Sequence, residues 1–352
     1  MLDISYATIK KTYMAWVGNK GRYEGVKLPT MTLKADVVVD EMLLTSMLKP
    51  YHKKSQNFYL SETDERGNDV KMVVSKIFEQ DNEGDGIHRY ATVLSNLLYE
   101  VMEISKANGG EFIVALFDEI VFEGEPVRAL GLWKVNSQSN FIIPSIMAGS
   151  SSFMDVVHAI DINKTELSAL ILNIEEDEGY RVLVVDTLTK PGERSMWKDE
   201  FLRLKPLEDD YYFTSHRMAA THEYVVDKMK KYSLTRPERI SLLVKIGDYF
   251  HDNEEFEEGD FLHQIFPEDD DRGEQYLDFI QQYGKAYAVS MNSAFTIDSL
   301  AKKENAKLFR VSLKLDKNFN LAVKSSRQDL LERGIDQETG KQFYKVYYDE
   351  EA

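Results

Sequence analysis

Cations crowded into two short stretches carry the clearest chemistry in this sequence. Residues 228–245 hold Lys228, Lys230, Lys231, Arg236, Arg239 and Lys245 against the single acid Glu238, and residues 302–333 hold nine bases against four acids, so each stretch is locally +5. Side chains spaced this closely displace the counterions condensed on a nucleic-acid backbone, and that release drives binding to phosphates. The phosphate partners expected on this basis are Lys228, Lys230, Lys231, Arg236, Arg239, Lys307, Arg310, Lys314 and Arg327. A helix is expected to begin at Ser325-Ser326-Arg327, where free backbone donors beside a guanidinium suit one phosphate. Ordinary solvated helix faces have the same composition, so charge alone does not separate the two readings.

Carboxylates are the second chemical group. Asp155, Asp161, Glu166 and Asp186 fall near expected strand ends, where a metal-dependent nuclease gathers acids around magnesium and where turns and caps also use them. Asp81-Asn82-Glu83-Gly84-Asp85-Gly86 opens like a calcium-binding loop but has Thr92 where the bidentate glutamate belongs, so it reads as a polar turn. Gly18-Asn19-Lys20-Gly21-Arg22 lacks the ending of a phosphate loop and reads as a hairpin turn. His216 and His222 stand six positions apart on one expected helix, about 120° around its axis, so they do not share a ligand, and His222 is expected in the core. With no cysteine, no glycine-flanked serine and no His-Glu-x-x-His pair, thiolate and common hydrolase chemistry have no footprint. No catalytic residue, metal or cofactor is expected.

The elements that would position these groups follow from periodicity. Val38, Met42, Leu43 and Met47 predict a helix over 36–48, and Tyr90, Val93, Leu94, Leu97, Val101 and Ile104 predict a longer one over 88–107 that stops at Asn108-Gly109-Gly110. Strands rich in β-branched and aromatic residues are expected at 111–122, 127–135, 155–162, 167–174 and 180–186. The last two form a hairpin around residues 175–179, with Leu170, Leu172 and Ile174 facing Val182 and Val184. Few crossover helices separate the strands, which favours an α+β fold with an antiparallel or mixed N-terminal sheet and packed helices. From about 195 the pattern turns helical: 197–204, 214–232, 236–250 with a capping box at Thr235-Arg236-Pro237-Glu238, and 275–287. A smaller C-terminal β unit is expected at 289–297, 307–315 and 318–323, with an edge strand at 343–348. Two domains, 1–194 and 195–352, summarise this organisation.

Composition narrows the class further. The formal charge is -17, with twelve acids against Arg272 alone in residues 252–278, a segment read as a solvated loop or as a phosphate-like surface competing for the basic stretches. Apolar runs are strand-sized, far short of the roughly 20 residues that cross a bilayer. Asp3 and Lys10-Lys11 interrupt anything like a secretion signal, and the expectation is a cytoplasmic protein.

Several segments, taken in order, resemble the bacterial NdpA-like nucleoid-associated protein family. Gly109-Gly110-Glu111-Phe112-Ile113-Val114 resembles its glycine-pair-to-strand segment, and Ala159-Ile160-Asp161-Ile162-Asn163 is similar to its leucine-aspartate-isoleucine-asparagine segment. Phe201-Leu202 falls where the family has that pair before its helical region, and Phe295-Thr296-Ile297-Asp298, followed by Leu308 to Val323, resembles the C-terminal β unit. The resemblance implies a cytoplasmic, nucleoid-associated protein that binds double-stranded DNA without enzymatic activity. This chain departs from typical members in its acidic 252–278 segment and its Asp349-Glu350-Glu351 tail. The alternative expectation is an interaction scaffold that forms homo-oligomers through acidic and basic surfaces without DNA.

Overall fold

Residues Phe112 to Phe117 are apolar on both sides of a strand, and such a run folds only where both sides are covered. The computed structural model describes residues 2–31, 33, 36–52, 56–61, 67–80, 86–102, 107–135, 138–146, 152–190, 193–228, 236–266, 271–309, 311–315, 319–323 and 331–348. The fold is α+β, in two units, Met1–Leu207 and Glu208–Ala352. In the first unit the order is β1 (Leu2–Asp3), β2 (Thr8–Val17), β3 (Val26–Lys27), α1 (Val37–Leu48), β4 (Asn57–Leu60), α2 (Asp69–Glu79), α3 (Gly86–Val101), β5 (Gly110–Phe122) and β6 (Glu125–Lys134). Then come β7 (Ser139–Ile146), β8 (Ser152–Ala159), β9 (Leu167–Leu172), β10 (Arg181–Asp186), a π-helical turn at Met196–Phe201 and β11 (Leu204–Pro206). Nine of these strands make one sheet, ordered β11-β4-β10-β9-β6-β5-β2-β3 with β1 also on β5, and all its pairings are antiparallel.

Phe112, Val114 and Leu116 of β5 point to one side, with Tyr13, Ala15 and Ile171, under α2, α3 and Trp197 and Phe201 of the π-helical turn. Ile113, Ala115 and Phe117 point to the other, with Trp133 and Leu170, under Met47 and Leu48 of α1 and Tyr51. The second covering needs a glycine. A Cβ on Gly131 would lie 2.6 Å from the Phe117 ring and 2.9 Å from Met47 Cε, so a side chain there would force both of these side chains to shift. Between Phe117 and Ile120 the register of β5 shifts, with Glu119 in the left-handed region, and the strand bends there as bulged strands do.

Several sequence expectations are corrected. Helix α2 had been passed over, although Val70, Val73, Val74, Ile77 and Phe78 repeat at helical spacing and are buried. The stripe of α3 is rotated from the expected one: Ile87, Ala91, Leu94 and Leu98 are buried while Val93 is exposed. In the β9–β10 hairpin Ile171 pairs with Val182 and Ala169 with Val184, one residue off the expected register. The reason is the turn, where Glu175 and Tyr180 take positive φ and Gly179 fits closely under β4, its hypothetical Cβ only 2.2 Å from the Leu60 carbonyl oxygen. The first unit ends at Leu207, after β11 pairs with β4.

In the second unit α4 (Asp210–Glu223) continues into a π-helical turn, Tyr224–Lys228, followed by α5 (Arg236–Asp252), β12 (Glu255–Glu257), α6 (Glu258–Ile265), α7 (Arg272–Tyr287), β13 (Ala294–Thr296) and α8 (Ser299–Asn305). A 3-10 turn at Ala306–Phe309 leads to the hairpin β14 (Val311–Leu315) and β15 (Phe319–Val323), and β16 (Leu331–Ile335) pairs with β17 (Gln342–Val346). The core is aromatic, with Tyr224, Phe250, Phe256, Phe261, Phe266 and Tyr276 in mutual contact through edge-on, tilted and stacked rings. The capping box at Thr235, the turn at Asp81 to Asp85 and the helix start at Ser325 lie outside the described residues.

One buried charge in the first unit yields a test. Lys134 ends β6 with its side chain fully buried, donating to the carbonyls of Val135 at 2.8 Å and Asn108 at 3.2 Å. Burial pushes its pKa down from 10.5 to about 8, against the opposing pull of Glu111, Glu166 and Glu24. Between these values the unfolded chain holds the proton that the folded one has released, so stability rises with pH. Urea denaturation of the wild type should gain on the order of 2–3 kcal/mol across that window. In Lys134→Met the gain should vanish.

Candidate nucleic-acid interface

Helix α5 organises the basic residues of the second unit. The turn Tyr224–Lys228, the turn Ala306–Phe309 and strand β14 all pack against it. The contact with the second turn is close, since a Cβ on Gly247 would lie 2.9 Å from that of Phe309, whose ring stacks on Phe250 at 6.1 Å. Helix α5 and the three elements packed on it therefore carry five of the nine expected phosphate partners. Lys228 closes the first turn, Arg236 opens α5 with Arg239 three residues on, Lys307 lies in the second turn, and Lys314 lies in β14. Arg239 is half-buried and Lys307 is exposed. Lys245, in the same basic stretch but omitted from the expected partners, is also exposed on α5. Lys230, Lys231, Arg310 and Arg327 lie outside the described residues.

The described residues of the acidic segment, 252–266 and 271–278, do not form the solvated loop its composition suggests. Phe256, Phe261, Ile265, Phe266 and Tyr276 alternate with its acids and are buried in the core of the unit. Its acids divide by position: Glu254, Glu255, Glu257 and Asp260 are exposed, whereas Glu258 turns inward to Arg217. The Arg217 side chain is 1% exposed and donates to Glu258 Oε2 at 2.9 Å and to the Asn292 carbonyl at 2.6 Å. Its guanidinium lies 4.7 Å from the centroid of the Phe256 ring. Such a charge in an apolar core is tolerated because carboxylate, carbonyl and ring replace most of its water, although the buried Nε makes no hydrogen bond. Beside it, the buried Tyr276 hydroxyl bonds the Thr221 hydroxyl at 2.8 Å, and burial raises its pKa while the nearby Arg217 charge lowers it. No sequence motif announced this centre; the only trace was an arginine spaced with Thr214 and Thr221 on a helix whose neighbours are apolar.

The four acids weighed for a nuclease sit apart in role. Asp155 is exposed in β8, and Asp161 caps its own turn by accepting from the Asn163 N–H at 3.0 Å. Glu166 offers its backbone carbonyl to Thr187. At Asp186 burial works against ionisation, but hydrogen bonds from Ser195, Thr189 and Leu188 outweigh it and hold the carboxyl below its ordinary range. Among the described residues no group of three or more His, Asp or Glu side chains is placed to hold a metal ion. His222 is half-buried against Phe309, as expected of a core histidine; burial lowers its pKa, with Asp227 opposing.

The chain matches no family model and no curated protein. The segments that carry the family resemblance occupy junctions of the fold. Gly109-Gly110 leads into β5, where a Cβ on Gly110 would lie 2.1 Å from the Val135 carbonyl oxygen, and Asp298 caps α8 by accepting from the N–H groups of Leu300 and Ala301. Their demands are those of packing and capping.

Arg217→Met leaves Glu258 without its cation inside the unit and should destabilise the protein by about 3–5 kcal/mol, read as an earlier loss of helical circular dichroism in urea. Removing both charges, as Arg217→Met with Glu258→Leu, should recover most of that loss, because paired apolar replacements leave no orphan charge.

Proposed function

We propose that this chain is a non-enzymatic, cytoplasmic protein of the nucleoid-associated type that holds the backbone of double-stranded DNA through the cations carried around α5. The observation behind this reading is the packing on that one helix of three elements that each carry a lysine, Lys228, Lys307 and Lys314. The ordered resemblance to the NdpA-like family supports the same reading. Backbone contact suits the body of the protein: with a net charge of -17 it repels DNA at distance, so local cations must supply the attraction.

A duplex titration monitored by fluorescence anisotropy across salt concentrations tests this. Six phosphate contacts give a slope of log affinity against log salt near -5, from about -0.9 per phosphate. Arg239→Glu with Lys307→Glu should flatten the slope by about 2 and weaken binding at low salt, with the thermal transition unchanged. A flat slope in the wild type would remove the reading.

A further inference from the structure

The hairpin β7–β8 stands outside the nine-stranded sheet and pairs with nothing else among the described residues. Two strands alone are marginal in water unless an apolar side is covered. The register sorts their side chains. Ile142 pairs with Val156 and Pro144 with Met154, which puts all four on one face. Ile142 is 64% exposed, Met154 73% and Val156 61%, whereas Phe141, Ile143 and Phe153 of the opposite face are 40–48% exposed. At roughly 200 Å² for a large apolar side chain, Ile142, Met154 and Val156 leave on the order of 400 Å² uncovered on that one face, with the exposed Pro144 beside them. That is the size of the largest apolar patches on monomers, about 300–600 Å², which often mark interaction sites.

Charge identifies what covers it. The two strands contain no lysine or arginine and one carboxylate, Asp155, which the register places on the less exposed face. Phosphate and anionic lipid find no cation there. Two copies of a chain carrying -17 repel one another over most of their surface, and this neutral face is where they approach at least cost. Edges set the stoichiometry. Pro144 has no N–H and sits within a paired strand, so its missing donor blunts the outer edge of β7, and further strands cannot add there without end. A two-fold arrangement, hairpin on hairpin, closes on itself. We infer that the chain is a homodimer joined through the Ile142, Pro144, Met154 and Val156 faces of its β7–β8 hairpins.

Sedimentation velocity of the full chain tests this at low salt and at about 1 M salt, where exposed charge pairs are screened but apolar contact persists. The wild type should sediment as a dimer at micromolar concentration in both. Ile142→Asp with Val156→Asp should weaken association by about 100-fold or more without altering circular dichroism. Because the chain has no cysteine, Met154→Cys supplies a single thiol, and a short bismaleimide should link two such chains; Glu178→Cys, in the exposed β9–β10 turn, should not link. A monomeric wild type, a dimer lost at high salt, or a dimer untouched by the aspartates would each overturn the inference. No arm contains DNA, so its failure is independent of any failure in the duplex titration.

Discussion

Six consecutive residues of β5, Phe112 to Phe117, are hidden from water, and a strand so buried needs cover above and below. Helices α2 and α3 supply one cover and the end of α1 the other, with β6 and β2 at its edges. Much of the local chemistry of the unit follows from that demand. Gly131 leaves room for the Phe117 ring and the end of Met47 against the sheet, and Lys134 is buried where β6 pairs with the start of β5. Its two carbonyl partners are the compensation for that position.

The second unit solves a different problem, since its chain is rich in acids and must still build a core. It does so by alternation. In Glu255-Phe256-Glu257 the carboxylates face water and the ring faces inward, and the same division continues through α6. Among the described residues, Glu258 turns inward and meets Arg217, which is fully buried. Acidic composition therefore describes the outside of this segment, and aromatic contact describes its inside.

What could be read from the sequence was whatever depended on local repetition. The helices at 37–48 and 236–252 and the strands β5, β6 and β10 announce themselves by spacing, as does the antiparallel character that their short connections impose. Helix α2 was legible but masked by its β-branched Val73-Val74 pair, which imitates a strand. The β9–β10 register was not legible, because it hangs on positive φ angles at Glu175 and Tyr180 that no local rule assigns to those residue types. Around α5 the basic residues were legible as charge, but their common helix was not, since Lys228 and Lys307 lie far apart in the chain and are brought to it by the packing of Phe309 and Tyr224. Arg217 was invisible for the same reason: its partners, Glu258 and Asn292, come from distant turns of the chain.

The alternation in the acidic segment bears on how this molecule could be re-engineered. A designer wanting a more cationic version would be drawn to excise residues 252–278 wholesale. The excision would also remove Phe256, Phe261 and Tyr276, and it would strand a guanidinium in hydrocarbon, so the product would be a broken scaffold. The charge is editable only letter by letter, at outward-pointing positions such as Glu255, Glu257 and Asp260, where glutamine or asparagine leaves the rings where they are.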